Sequence, residues 1–414
     1  MAEDSTQSGE LSPEKRESLW RNSAFNLFWF GQICSTFGDA FSSIALPLLV
    51  LEATGSVAQM GLVTAIFSAG FVLTGIFAGV IVDRSEQRRL LLACDILRML
   101  CYLLIPFSWW LIGPSLVVLY FVTALVSCLG MLFRVGYMAL VPRLVGSTYI
   151  AEANGRLEAS YAFMSIVGTF LAGLVVSKFG APGAITIDAL TFGLSALSLF
   201  FVRLRTAEPI QQEELEPSLW LRFLAGWRFL WQQPALRSIT ILLTLLSTLT
   251  AAITDIFIFH IKHDLGQSYT TVGLVFALAT IGAILAGLIM PFLRKRLGFA
   301  ICWIGGNILN SLSLLLMGLA INLSWLVLIG VCFMFTSTLA SICSVSLRQE
   351  ITPGPLLGRV TSAFWTIHYA LAPLGAISTT WISERIGVPL AGVILGSLCL
   401  LISLSALLTP LRRY

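Results

Sequence analysis

Twelve stretches of this chain are apolar over the length a helix needs to cross a bilayer, about 20 residues. They fall at 25–51, 57–82, 90–112, 115–135, 157–177, 182–202, 238–261, 271–292, 299–320, 325–347, 360–383 and 388–408. Nothing else in the sequence constrains the fold as much. In hydrocarbon each backbone amide must find its partner inside its own helix, so a chain patterned this way is an all-α integral membrane bundle. Of the 414 residues 57% are apolar and only 11% charged, and the mean hydropathy is +0.90. An ordinary soluble domain is about 25% charged. Cytosolic enzymes, disordered proteins and nucleic-acid binders are therefore excluded, and no nucleic-acid partner is expected.

The basic residues set an orientation, because connections rich in Lys and Arg stay in the cytoplasm. One set of connections holds Arg84, Arg88 and Arg89, then Arg143 and Arg156, the run from Arg203 to Arg237, then Arg294, Lys295 and Arg296, and finally Arg348 and Arg359. The opposite set holds Lys178, Lys262 and Arg385. Both termini are expected in the cytoplasm and the chain in the plasma membrane, with a bacterial cell membrane the expected setting. The organisation this gives is a polar, disordered tail over 1–23, a six-span bundle over 24–202, a linker over 203–237, a second six-span bundle over 238–408 and a short tail over 409–414. Within the linker, Trp220, Phe223, Leu224, Trp227 and Trp231 recur at helical spacing beside Arg222 and Arg228. That pattern predicts an amphipathic helix lying on the inner leaflet, with docking on the bundle as the alternative.

The two bundles repeat each other. Residues 61–75, GLVTAIFSAGFVLTG, align without a gap on 273–287, GLVFALATIGAILAG, 212 positions later, and Gly155-Arg156 is echoed by Gly358-Arg359. Parallel repeats of this kind place a binding site between the halves near the bilayer midplane. The glycines also serve close helix packing.

Several chemistries have no residues to carry them. No lysine follows a glycine as a phosphate-cradling loop requires, the eight cysteines are scattered without a C-x-x-C pair, and the three histidines form no metal spacing. The aspartates are isolated, so no magnesium cluster for prenyl or phosphoryl chemistry is expected. The expectation is no catalytic residue, no metal and no cofactor, with a proton gradient as energy source.

Between spans 2 and 3 stands GVIVDRSEQRR, which places Gly79, Asp83, Arg84, Arg88 and Arg89 in the pattern G-x-x-x-D-R-x-x-x-R-R. It resembles the cytoplasmic loop signature of the major facilitator superfamily, although a charged loop also serves as a plain orientation anchor. The strings GQICSTFGDAFSSIALPLLVLEATGS, LVPRLVGSTYIAEANGRLEAS, DALTFGLSA and GWRFLWQQPALR resemble the branch that contains macrolide-efflux and siderophore-export permeases. The resemblance covers most of the first half. It implies twelve helices in two pseudo-symmetric bundles, alternating access and the loop as a gate. Asp83 would then latch the closed inner gate against the start of span 11 near Val360, where unpaired N–H groups favour a carboxylate. Lys295 stands at the repeat position of Asp83, so a symmetric second latch is not expected.

Charges inside the spans are costly and mark candidate sites. Asp39, near the middle of span 1, is either a proton-carrying carboxyl at a cavity or a structural aspartate bonded to a neighbouring helix. Asp255, one turn beyond the repeat position of Asp39, is a second proton or substrate candidate, unless it lies at the outer mouth. Asp95, Arg98 and Arg134 are expected at one depth as a charge network, with both arginines snorkelling to the interface as the alternative. Asp188 is expected to satisfy the N-terminus of span 6 near the outer surface. Trp365, His368 and Tyr369 are candidate substrate contacts, or packed residues.

These readings lead to a proton-coupled exporter of small amphipathic organic compounds such as a macrolide-like drug, a siderophore or another secondary metabolite. One chain would form the transport unit, with lipid as its solvent partner. A lipid or lysolipid translocator is the nearest alternative, followed by a membrane enzyme or a non-transporting sensor.

Overall fold

The computed structural model describes residues 19–146, 149–203, 219–320 and 322–413. The first part of the tail and the linker before Leu219 lie outside them, as do the side chains of Trp220, Arg222 and Phe223. The described residues are helical almost throughout. The elements are α1 (Ser23–Thr54), α2 (Val57–Asp83), α3 (Gln87–Leu111), α4 (Leu116–Val145), α5 (Ile150–Phe201), α6 (Leu219–Gln232), α7 (Pro234–Leu249), α8 (Ile253–Phe259), α9 (Tyr269–Gly318), α10 (Leu323–Ile351), α11 (Gly354–Ala370), α12 (Ala372–Ile386) and α13 (Val388–Ser405).

Nine helical runs among the described residues are long and apolar enough to cross a membrane; they hold eleven spans, and α11 with α12 supplies the twelfth. Two runs each hold two spans: α5 turns at Gly180 (φ 72°), and α9 turns at Gly298 (φ 77°). These are left-handed backbone positions that only glycine adopts without strain. Span 11 is shared by α11 and α12, which meet at Leu371 just before Pro373. That proline lacks an N–H and its ring crowds the carbonyl one turn back, so the helix breaks there. Span 7 is likewise divided at 250–252, between α7 and α8; no residue type there explains the break. Side chains of Asn22, Ser56, Ser268 and Asn322 cap the helices they precede, satisfying amides that would otherwise be orphaned at the membrane faces.

The chain is thus a multi-pass membrane protein of two six-span bundles, α1–α5 and α7–α13. Leu19 packs with Leu144, Val145 and Val202, and Leu411 with Ala235 and Leu347. Both described ends therefore sit on one face, here the terminal face. The opposite, distal face is closed. One continuous core there joins Leu48, Val122 and Val176 of the first half to Ile258, Val272 and Leu395 of the second. Toward the terminal face the core separates into clusters confined to one half, one around Phe28 and Leu140, the other around Ile239 and Trp303.

The repeat glycines hold the distal closure. Gly61 of α2 lies against Thr380 of α12, and a Cβ on Gly173 of α5 would stand 2.6 Å from Cα of Gly273 in α9. Nearer the terminal face, Gly79, Gly155, Gly287 and Gly358 border open space. The central cleft opens to the face that carries the chain ends.

Helix α6 is docked on α11 rather than lying free of the bundle. Leu230 is buried with Leu236, Val360 and Phe364, and Gly226 abuts the backbone at Arg359. Its other side presents Trp227 and Trp231 as a stacked pair, 5.4 Å between ring centroids. The amphipathic pattern is real, but its glycine lets the backbone seat on protein. Span 11 also starts six residues before the expected Val360, at Gly354.

Candidate functional site

In the first half a polar cluster is built by α1, α3 and the second arm of α5. Asp95 and Arg98 share a face of α3 by their spacing. Arg98 Nη2 reaches Asp39 Oδ1 at 3.1 Å, and Nη1 lies 3.9 Å from Asp95 Oδ1. The guanidinium rests 3.9 Å from the ring centroid of Phe192. Asp188 completes the group: it accepts from Ser42 Oγ and, at 3.4 Å, from Thr191 Oγ1. Asp95 and Asp188 are fully buried, whereas the Asp39 side chain is 47% exposed. The cluster therefore runs inward from the cleft wall to two sealed carboxyls.

Three expectations are corrected here. Arg98 does not snorkel, because Asp39 and Asp95 hold it inside the bundle. Arg134 is exposed and rests 5.9 Å from the Phe71 ring; among the described residues it forms no ion pair with Asp95, the acid it was expected to share with Arg98. Asp188 does not serve the N-terminus of span 6. That span begins after Gly180, and Asp188 sits two turns further in, bonded to α1. A sequence signal for its role existed: Asp188, Thr191, Ser195 and Ser198 form a polar stripe at helical spacing, facing Gly31, Gly38 and Ser42 of α1.

The second half holds a cavity of about 320 Å³. Trp365, His368 and Tyr369 line it, with Trp365 stacked on Tyr369 at 5.4 Å and Phe364 on His368 at 5.5 Å. Asn307, Asn310, Ser341 and Ser344 give it a polar wall, and Arg348 closes one end. Arg348 was expected in a cytoplasmic connection. Instead α10 runs on to Ile351, and the residue is 3% exposed within the bundle.

Asp255 lies in the first turn of α8 and accepts from Thr64 Oγ1 of α2 at 2.5 Å. It is buried at a junction of small residues, Ala65, Ala252 and Ala376, where the halves touch. In this conformation Asp39 faces the cleft and Asp255 does not. His260, next along the span, bonds Asp264 at 2.8 Å and the Ala320 carbonyl at 3.3 Å, which gives it a packing role.

A family model described as the Major Facilitator Superfamily matches residues 28–259 and 240–413, in effect the whole described chain. The chain belongs to the major facilitator superfamily. Multidrug efflux pump Tap of Mycolicibacterium fortuitum is 23% identical over 397 residues, covering 94% of this chain and 96% of that protein. Macrolide efflux protein A of Streptococcus pyogenes is 23% identical over 381 residues, covering 88% and 90%. In fold the chain is similar to the nucleoside transporter NupG, with a TM-score of 0.76 at 12% identity over 94% of this chain and 99% of that one. It is also similar to a bacterial homologue of the iron transporter ferroportin in an inward-facing state, with a TM-score of 0.66 at 16% identity over 94% and 99%. Membership places the chain among membrane transporters rather than enzymes.

The loop signature of this superfamily member sits at the open face. Asp83, at the end of α2, is exposed and makes no hydrogen bond or ion pair with α11 among the described residues. Arg89 pairs with Glu86 at 2.6 Å, Arg88 donates to the Phe200 carbonyl at 3.3 Å, and Arg84 and Gly79 border the opening. The distal face carries the reciprocal contact. Glu384, at the end of α12, accepts from Ser56 Oγ and from the Ala58 amide, each at 2.6 Å, at the N-terminus of α2. A carboxylate from span 11 thus caps span 2, across the two halves. No local pattern announces Glu384, whose partners are more than 300 residues earlier in the chain.

Proposed function

We propose that the chain is a proton-coupled exporter of small amphipathic organic compounds. It works by alternating access in the plasma membrane, as a single-chain unit with both termini in the cytoplasm and no cofactor. The observation that carries this reading is the cluster around Arg98. A carboxyl open to the cleft, Asp39, pairs with a guanidinium that the sealed Asp95 also approaches, with a second sealed carboxyl, Asp188, within electrostatic reach. Fully ionised, the three acids outnumber their one cation, and a proton on Asp39 relieves the excess. Protonation releases Arg98 from the cleft wall toward Asp95 and Asp188, and loss of the proton draws it back. The proton thereby becomes a positional change on three spans of one half. Asp255 is the second titrating candidate: its bond to Thr64 exists only while the distal face is closed, so opening that face exposes it.

The efflux names of two relatives aligned over nearly their whole length support the direction of transport. Asp83 with Arg84, Arg88 and Arg89 closes the terminal face in the alternate state, where Asp83 caps the start of α11. The two six-span bundles over 24–202 and 238–408 move as units about the linker. The test is export of a panel of dyes, macrolides and siderophores from cells making wild type or Asp39→Asn, with and without an uncoupler. Wild-type export is expected to collapse with the uncoupler, and Asp39→Asn to lose gradient-driven export while remaining in the membrane. Wild-type rates in Asp39→Asn under a proton gradient would remove this residue from coupling.

A further inference from the structure

We infer that the cavity in the second half binds the anionic group of an aromatic or amphipathic organic acid, with Arg348 as its anchor. The inference rests on the exporter reading, whose substrate class it narrows. Arg348 is buried inside a membrane bundle and no carboxylate lies within 4.0 Å of it among the described residues. Its one side-chain hydrogen bond there runs from Nη1 to Ser344 Oγ at 2.9 Å. The neighbouring acid, Glu350, is committed to Arg294 at 2.6 Å. A desolvated cation that keeps its charge needs a counter-charge, and here the place for one is the cavity that Arg348 lines. Its guanidinium carbon lies 3.7 Å from the centroid of the Phe364 ring, and the N–H donors that Ser344 does not take are left for carboxylate oxygens.

The rest of the cavity suits the body of such an acid. Trp365 and Tyr369 form a flat wall, and Asn310 and Ser341 supply polar groups opposite. His368 also lines the cavity, and its Nδ1 is buried without a hydrogen-bond partner. The contrast with the first half sharpens the case: Arg98 already has Asp39 and Asp95, so the halves are electrostatically unequal. One takes up a cation, the proton, and the other is built for an anion.

The test compares dansylglycine with its methyl ester, the same fluorophore with and without a charge, titrated into the purified full chain and read by dansyl emission. Wild type is expected to hold the acid roughly tenfold or more tighter than the ester. Arg348→Gln should bring that ratio to about one, and Arg348→Lys, a charge without the fork, should fall between. Equal affinities in wild type, or an acid preference that survives in Arg348→Gln, would overturn the site. Displacement of the acid by phosphatidylglycerol but not by benzoate would assign the cavity to a lipid headgroup and overturn the substrate class. Should Arg348→Gln fail to fold, competition by benzoate against benzyl alcohol on wild type decides the same question, with selective displacement by benzoate expected. Uncoupler-sensitive export of an uncharged dye tests the exporter reading separately. Export without acid preference removes the Arg348 site alone; acid-selective binding without export removes the exporter reading alone.

Discussion

At the scale of single residues, the two halves spend their buried charge differently. Arg98 sits between one exposed and two sealed carboxyls, and its removal leaves Asp95 and Asp188 without a cation. Truncating one member of such a group costs about 3 kcal/mol, because the remaining charges stay desolvated. Arg98→Met is therefore expected to lower thermal stability in detergent sharply. Adding Asp39→Asn should recover little, since the sealed acids are the source of the cost; full recovery would mean that Asp39 alone needed the arginine. Asp39 was legible in the sequence because an acid in mid-span demands compensation. Asp188 was not placed correctly, because sequence gives its depth along a helix but not the Ser42 hydroxyl on the helix beside it. Arg348 was misplaced for a related reason. Hydropathy reads a charge as the end of a span, whereas α10 continues past it into a polar cavity that only other spans supply.

At the scale of elements, the helix ends carry the switching. Glu384 caps α2 at the closed face, while Asp83 stands uncapped at the open one. A carboxylate at a helix N-terminus is worth about 1 kcal/mol, roughly a fivefold change in a two-state population. Glu384→Gln is therefore expected to shift the protein about fivefold away from the state with a closed distal face, and Asp83→Asn toward it. Fluorescence energy transfer between labels at the terminal ends of α2 and α11 reads both shifts, and movement in the same direction for both variants would break the reciprocity. The Gly-x-Pro turns fit the same scale. Gly180-Ala-Pro182 and Gly387-Val-Pro389 adopt positive φ of 72° and 83° and restart spans 6 and 12. They could be read from sequence because their constraint is local.

At the scale of the molecule, the distal closure depends on helices approaching to backbone contact at two related crossings, α2 with α12 and α5 with α9. A side chain at Gly273 would meet Cα of Gly173. Gly273→Val is expected to prevent that closure and stop transport, while the protein still inserts. Cysteines replacing Gly61 and Thr380 should crosslink readily in the parent and lose that crosslink once Gly273→Val is added. An unchanged crosslink would show that the two crossings close independently.

The apolar periods, the charge alternation and the 212-residue repeat fixed the number of spans, their pairing into halves and the membrane as solvent. Those properties depend only on helix length and on the cost of leaving an amide or a charge in lipid. Which face is open, that Arg98 gathers three acids, that Glu384 reaches α2 and that Arg348 looks into a cavity were decided by packing between spans far apart in the chain. A helix written in sequence has a depth and a stripe. What the stripe meets is settled only when the other eleven spans are in place.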